Sequence, residues 1–416
     1  MTASHIRIDD LARPRLSPLL EEMIASAVPP ERLTAQAVLD AASAATGLTD
    51  FGDREFVARL DLWCTSVDAD TGLNQWGRAS LFNDFIRLAI NRLKVEDMIR
   101  RHPEILDIEI ERPIIIAGLP RSGTTHLVNI LSADPRLNSM PLWESMQPVP
   151  EGTPPADRSQ DPRFLQTRQF WGAFEEALPH MRAMHEMAPD HTHEEIELQK
   201  IDFASYELEW LSRPHAWREY YLTHDQTPHY AYGKKVLQLL TWLRGPRRWV
   251  LKSPQHMEQL GPLKAVFPDA TLVITHRDPL AVIQSAVTMI AYGDRLRRRD
   301  TDPPATARYW IDRIETLLRR CVRDRALWPA DRSLDVYFDR YMADQDATLD
   351  RIAALAGLER TPEARAAIDA YVASHPRAMH GKVVYDLAGD FDVDIAALRE
   401  RFAFYFDAFP VAEEKL

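Results

Sequence analysis

The sequence predicts an α/β fold: a parallel sheet flanked by helices, preceded by an all-helical region. Three observations carry this expectation. Short runs dense in branched apolar residues recur at Pro113–Ala117, Arg248–Leu251, Thr271–Thr275 and Leu334–Phe338. The first three lead directly into helix-start signals, and apolar strands alternating with helices build parallel sheets buried on both faces. Before about residue 105, apolar residues instead recur at helical spacing. A chain of 416 residues has room for more than one core. The division expected is a helical region over 1–110 and an α/β domain over 111–416, the latter carrying a helical, aromatic-rich insertion at about 147–246.

In chain order, helices are expected around Leu16–Val28, Glu31–Thr46, Asp53–Asp70 and Leu81–Ile99, with Gly47 and Gly72 placed to end two of them. In the last, Phe82, Phe85, Ile86, Ala89 and Leu93 share a face. This region holds no evident chemistry and reads as a cap or as the contact of a homo-oligomer. The insertion opens with a proline-dense stretch, Gln147–Arg163, and residues 164–250 hold Trp171, Trp210, Trp217, Trp242 and Trp249, half of the ten tryptophans. Most of these suit a packed core; some suit an apolar acceptor pocket.

Composition narrows the function classes. With 45% hydrophobic and 27% charged residues, the chain is neither disordered nor fibrous. A net charge of −12 argues against a nucleic-acid partner, which requires a basic surface. Cys64 and Cys321, the two cysteines, are too few for a disulfide framework and suit a reducing compartment. No run approaches the ~18–20 apolar residues of a membrane span, and the first ten residues lack a basic start followed by an apolar run. A cytoplasmic protein is expected.

The chemistry concentrates where the first strand ends. Gly118-Leu119-Pro120-Arg121-Ser122-Gly123-Thr124-Thr125 separates that strand from an apolar helical pattern. A glycine-punctuated turn at a helix amino terminus points backbone N–H groups at an anion, which the helix dipole also favours. Gly118 and Gly123 have the spacing of the nucleotide P-loop, but Thr124 stands where that motif has lysine, and the cation is Arg121 inside the turn. Such a P-loop-like site suits one phosphate-like group rather than a metal-bound triphosphate.

Pro120-Arg121-Ser122-Gly123-Thr124-Thr125 resembles the 5′-phosphosulfate loop of sulfotransferases that use 3′-phosphoadenosine 5′-phosphosulfate (PAPS). It is most similar to the branch that includes the protein-tyrosine sulfotransferases and many bacterial relatives, where arginine replaces the lysine of the cytosolic enzymes. The resemblance implies PAPS as co-substrate, no metal, and a sulfonate passed to a hydroxyl of a small-molecule acceptor. It implies that Arg121, Ser122, Gly123, Thr124 and Thr125 hold the 5′ end. At the third strand's end, His276-Arg277-Asp278-Pro279 precedes a helix bearing Ser285, eight residues after Arg277. This resembles the family's 3′-phosphate site, and a fixed guanidinium with a hydroxyl suits a phosphate dianion. His380-Gly381-Lys382 is similar to the basic segment that closes over that phosphate, which adds Lys382.

The remaining strand end reads Leu251-Lys252-Ser253-Pro254-Gln255-His256, with Ser253 as N-cap and Pro254 first in the helix. A lysine in a similar Leu-Lys-Ser setting contacts the sulfonate in the tyrosine-sulfotransferase branch, which implies a catalytic Lys252. Transfer to a hydroxyl needs a base. The resemblance offers Glu144, after the turn Asp134-Pro135, and His256 is the alternative, though it shares a helical stripe with Leu260, Leu263 and Phe267 that suits a core histidine. His180, His185, His191 and His193 cluster with Glu194 and Glu195 but lack a fixed ligand spacing. They read as a polar helix start, and no metal is expected. Arg295, Arg297, Arg298 and Arg299 read as a solvated basic turn. Two other functions share these motifs: a P-loop kinase or NTPase, which the missing lysine opposes, and a catalytically inert nucleotide-binding protein.

Overall fold

The computed structural model describes residues 4–376 and 379–416. Four helices form the amino-terminal region: α1 (Pro18–Ser26), α2 (Ala35–Thr46), α3 (Phe56–Ala69) and α4 (Gln75–Arg101). Side-chain oxygens of Ser17, Thr34 and Asn74 accept from the first-turn amides of α1, α2 and α4, which satisfies donors a helix start leaves open. Gly47 ends α2 with a left-handed φ of 71°. Capped by Asn74, α4 starts at Gln75, six residues before the apolar stripe begins at Leu81. The buried face of these helices belongs to the same apolar core as Ile115 and Ala117 of the sheet. One element departs from the helical reading: His5–Arg7 is a strand, β1.

The main sheet holds β2 (Ile114–Gly118), β3 (Leu137–Asn138), β4 (Arg248–Ser253), β5 (Thr271–His276) and β6 (Ser333–Tyr337) in the order β3-β4-β2-β5-β6. Every pairing is parallel. All five residues of β2 are buried. Its alternating side chains serve two cores: Ile115 and Ala117 join Leu251, Leu272 and Ile274 on one face. Ile114 and Ile116 join Val250, Val273 and the residues Leu127, Val128 and Leu131 on the other. Those last three lie on α5 (Thr124–Ser132). Register aligns Ala117 with Ser253, and Gly118 with Thr275, so three strand ends reach one level. From β2 the chain passes to β3 and β4 on one side and then to β5 on the other. That reversal opens a crevice beyond the carboxyl ends, where such sheets bind ligands.

Between β3 and β4 the chain is helical: α6 (Leu142–Met146) precedes the insertion, which holds α7 (Pro162–Ala177), α8 (Met181–Met184), α9 (Ile196–Lys200), α10 (Leu208–Leu211), α11 (His215–Thr223) and α12 (Thr227–Arg244). Trp217 and Trp249 are among the largest fully buried side chains, whereas Trp242 lies at the surface. After β4 come α13 (Leu260–Val266), α14 (Pro279–Arg297) and α15 (Pro303–Asp324). Near the carboxyl end β7 (Lys382–Val384) pairs in parallel with β1, His5 opposite Lys382. No helix among the described residues is long and apolar enough to cross a membrane.

Candidate active site

The turn between β2 and α5 is shaped by its two glycines. A Cβ on Gly118 would collide with Thr275 Oγ1 and lie 2.7 Å from Thr124 Cγ2, so only glycine lets β5 close against the turn. Gly123 has φ 87° and leads into α5, and Arg121 also sits in the left-handed region at φ 69°. Successive amides in this geometry face inward, and the first turn of α5 leaves N–H groups without helical partners. The Ser122 hydroxyl lies 2.7 Å from Thr275 Oγ1 and donates to Leu119 O at 2.6 Å. Ser122 therefore braces the turn against β5. Thr124 is buried, and Thr125 Oγ1 accepts from Lys252 Nζ at 3.3 Å.

Two sequence-predicted groups converge on Arg121. Its Nε donates to Ser285 Oγ at 2.9 Å, and its Nη1 bonds Met184 O. Arg277 Nη1 donates to the Arg121 carbonyl at 2.7 Å. Asp278 fixes the end of β5 by capping α14, its Oδ1 accepting from Leu280 N at 2.8 Å. Ser285, two turns into α14, donates to Tyr385 Oη at 3.0 Å. Tyr385 follows β7 directly, so the segment carrying Lys382 reaches this side of the site, with the Lys382 side chain exposed. The remaining edge of the Arg277 guanidinium is occupied: Nε and Nη2 donate to the two carboxylate oxygens of Glu414 at 2.6 and 2.7 Å. Its flat face lies 4.1 Å from the Phe338 ring. His276, Arg277, Asp278, Phe338, Asp339 and Glu414 line an open pocket here.

Lys252 closes the other side. Its ammonium bonds Glu194 Oε1 as well as Thr125, and its backbone N–H donates to Glu195 Oε2 at 2.7 Å. Glu195 Oε1 bonds His256 Nε2, whose Nδ1 lies 2.8 Å from Tyr230 Oη. His256 is only 1% exposed. The structure thus places it in the packed interior behind Lys252, as its apolar stripe suggests.

Glu144 is not brought to Lys252. It lies on α6, and its Oε2 accepts from Arg244 Nη1 at 2.8 Å, while Arg244 also holds Ser139 O at 2.7 Å. The chain around it matters differently. Backbone bonds join Leu142 to His191 (3.0 Å), Trp143 to Pro189 (3.1 Å) and His193 to Met140 (2.8 Å). Asn129 of α5 exchanges hydrogen bonds with the backbone of Thr192 at 3.0 and 3.3 Å. These bonds clamp residues 189–193 against α5 and carry Glu194 to Lys252. Sequence reasoning passed over Glu194. The signal present was an acidic pair set directly before a helix, at the end of a histidine-rich stretch. Histidines of that stretch are held neutral: burial, with Arg121 and Lys252 nearby, pushes His185 well below the usual imidazole range. Burial, with His193 and Lys252, lowers His191 to about 4. Among the described residues no group of three or more His, Cys, Asp or Glu side chains is arranged to hold a metal ion.

A glycine-bounded turn at a helix start with an arginine, a lysine bonded to a carboxylate beside it, and a second arginine at the neighbouring strand end can bind a doubly anionic donor and deprotonate an acceptor. The comparisons agree with that chemistry. The family model described as "Sulfotransferase family" matches residues 113–362. Among solved structures, sulfotransferase STF9 from Mycobacterium avium is 26% identical, with 93% of this chain and 99% of that chain covered and a TM-score of 0.83. Sulfotransferase STF1 from Mycobacterium tuberculosis H37Rv is also 26% identical, with 89% and 98% covered and a TM-score of 0.78. No curated protein matches. With most of its length matched by the family model and its fold shared with two mycobacterial enzymes, the chain belongs to the sulfotransferase family.

Proposed function

We propose that this sulfotransferase moves the sulfonate group of PAPS to a hydroxyl of a small-molecule acceptor by in-line displacement. The observation that carries the reading is Lys252, whose ammonium touches both the phosphate-binding turn through Thr125 and the carboxylate of Glu194. The turn amides and Arg121 hold the 5′-phosphosulfate, with Thr124 and Thr125 at the helix start. Arg277, Ser285 and Lys382 take the 3′-phosphate. The acceptor oxygen attacks sulfur while the bond from sulfur to the bridging phosphate oxygen breaks. The hydroxyl proton passes to Glu194, and adenosine 3′,5′-bisphosphate leaves. Lys252 stabilises the charge that grows on the bridging oxygen, so catalysis rests on positioning and electrostatics.

Glu194 takes the role first offered to Glu144, because Arg244 engages Glu144, and among the described residues Glu194 is the carboxylate that bonds the Lys252 ammonium. His256 positions rather than reacts: it fixes Glu195, which fixes the Lys252 backbone. Both cysteines are free, which suits action in the cytoplasm. The test is labelled-sulfate transfer from PAPS to a broad acceptor panel, read by mass spectrometry. Glu194→Gln is expected to lower turnover by ~10²–10⁴ with binding of adenosine 3′,5′-bisphosphate near wild type. Near-normal turnover in that variant would hand the proton to Glu144 or His256. A chelator is expected to leave activity intact, and transfer of phosphate from ATP instead of sulfonate would overturn the reading.

A further inference from the structure

Beyond Lys252 and Glu194 lies a second set of charged side chains that sulfonate transfer does not use. It starts at His193, next in the chain to Glu194, whose Nε2 is 3.6 Å from Glu197 Oε1. Glu197 accepts from Lys200 Nζ at 2.9 Å, and Lys200 reaches Glu207 Oε1 at 3.2 Å. From α4, Arg87 bonds Asp84 at 2.6 Å and lies 3.6 Å from Glu197 Oε2. Arg297 enters from the end of α14. Asp84, Glu207 and Asp294 act on its charge, yet among the described residues no hydrogen bond or ion pair reaches its guanidinium.

This is not a sealed ion network. The side chains of Asp84, Arg87, His193, Glu194 and Glu207 keep between 14 and 23% exposure. Burial nevertheless raises the Glu207 carboxyl and lowers the Arg297 guanidinium, as in a recess rather than on an open surface. Three buried polar atoms in it have no hydrogen-bond partner: Arg297 Nε, Glu197 Oε2 and Glu207 Oε2. Glu197 as a whole is 3% exposed. Native interiors leave few such atoms, and a group of them needs an account.

The lining supplies three cations (Arg87, Lys200, Arg297) and three carboxylates (Asp84, Glu197, Glu207). An anionic ligand would meet the carboxylates, a cationic one the cations, and an apolar one would strip both of water without replacing its hydrogen bonds. Hydroxyl groups both donate and accept, so they suit such a lining. We propose that this recess is the acceptor site and that the acceptor is a neutral polyhydroxylated molecule of the saccharide class. One of its hydroxyls reaches Glu194, and others bond Arg297, Glu197 and Glu207. The inference rests on the transfer reaction proposed above and names its substrate class.

The experiment uses the full chain and two ligand panels, neutral mono- and disaccharides and simple phenols, with saturation-transfer NMR on the donor-free protein and transfer assays with PAPS. Saccharide signals are expected, together with transfer whose KM rises at least tenfold in Arg297→Gln and in Glu207→Gln, with kcat within a few-fold of wild type. Circular dichroism checks that the variants are folded, and Arg297→Lys serves where Arg297→Gln is not. Signals and transfer confined to phenols, or saccharide KM values untouched by every variant, would overturn the proposal. Failure to bind adenosine 3′,5′-bisphosphate, measured before any acceptor is added, would instead sink the donor reading. The saccharide signals need no donor, and their absence would still count against this inference.

Discussion

Glu414 grips Arg277 through two hydrogen bonds on the edge a 3′-phosphate would use. A carboxylate and a phosphate compete for the same guanidinium fork. Replacing Glu414 with Gln is therefore expected to strengthen binding of adenosine 3′,5′-bisphosphate several-fold by calorimetry while leaving AMP unchanged. Arg277→Ala should erase most of the preference between the two nucleotides. Weaker binding in Glu414→Gln would mean that the carboxylate orients Arg277 rather than competing for it. His191 makes a prediction about pH. Its imidazole titrates near 4 in the fold against 6.5 for the free group. The unfolded chain takes up this proton first, so the contribution is whole above pH 6.5 and falls as pH drops toward 4. Between pH 7 and 5 that amounts to about 2 kcal/mol at ~1.4 kcal/mol per unit. His191→Asn should show a flatter dependence of urea stability on pH by this amount. Arg121, Lys252, Arg277 and Ser285 were picked out in the sequence because each stands at or just beyond a strand end, or at a helical offset from one, in motifs that resemble the family's. Glu194 was not, since its place depends on Asn129 binding the backbone of Thr192 from far away in the chain.

At the scale of elements, the turn after β2 depends on how closely β5 approaches it. Gly118→Ala would push a methyl group into Thr275 and Thr124. Overpacking of this kind costs about 1–3 kcal/mol, and here it also disturbs the hydroxyl brace between Ser122 and Thr275. The expected outcome is a lower urea midpoint together with weaker nucleotide binding, whereas an alanine that bound nucleotide normally would show that the turn relaxes freely. The strands β2, β4, β5 and β6 were readable to within two residues: burial on both faces gives the first three near-continuous apolar runs, while the half-buried edge strand β6 keeps only Leu334 and Val336 as its apolar signal. The strands β1, β3 and β7, of three residues or fewer, leave no such run. The start of α4 also escaped, because Asn74 sets it ahead of the apolar stripe.

For the whole molecule, a fully buried cation ties the insertion to the sheet. Arg313 on α15 holds Glu209 of α10 at 2.9 Å and both carboxylate oxygens of Glu258, just after β4, at 2.5 and 2.7 Å. All three side chains have no exposure. Arg313→Met strands two carboxylates, and breaking a buried ionic group in this way costs about 3–5 kcal/mol. Chemical denaturation should register that loss, and a change below about 1 kcal/mol would mean that water enters the site. The pairing of β1 with β7 works at the same scale. It straps the segment around His5 to the stretch that delivers Tyr385 onto Ser285 and, through Ser285, to Arg121. A fusion partner or affinity tag spliced ahead of His5 is therefore expected to disturb the Tyr385–Ser285 contact, and a dye attached there should report, by a change in its fluorescence, whether the proposed donor is seated.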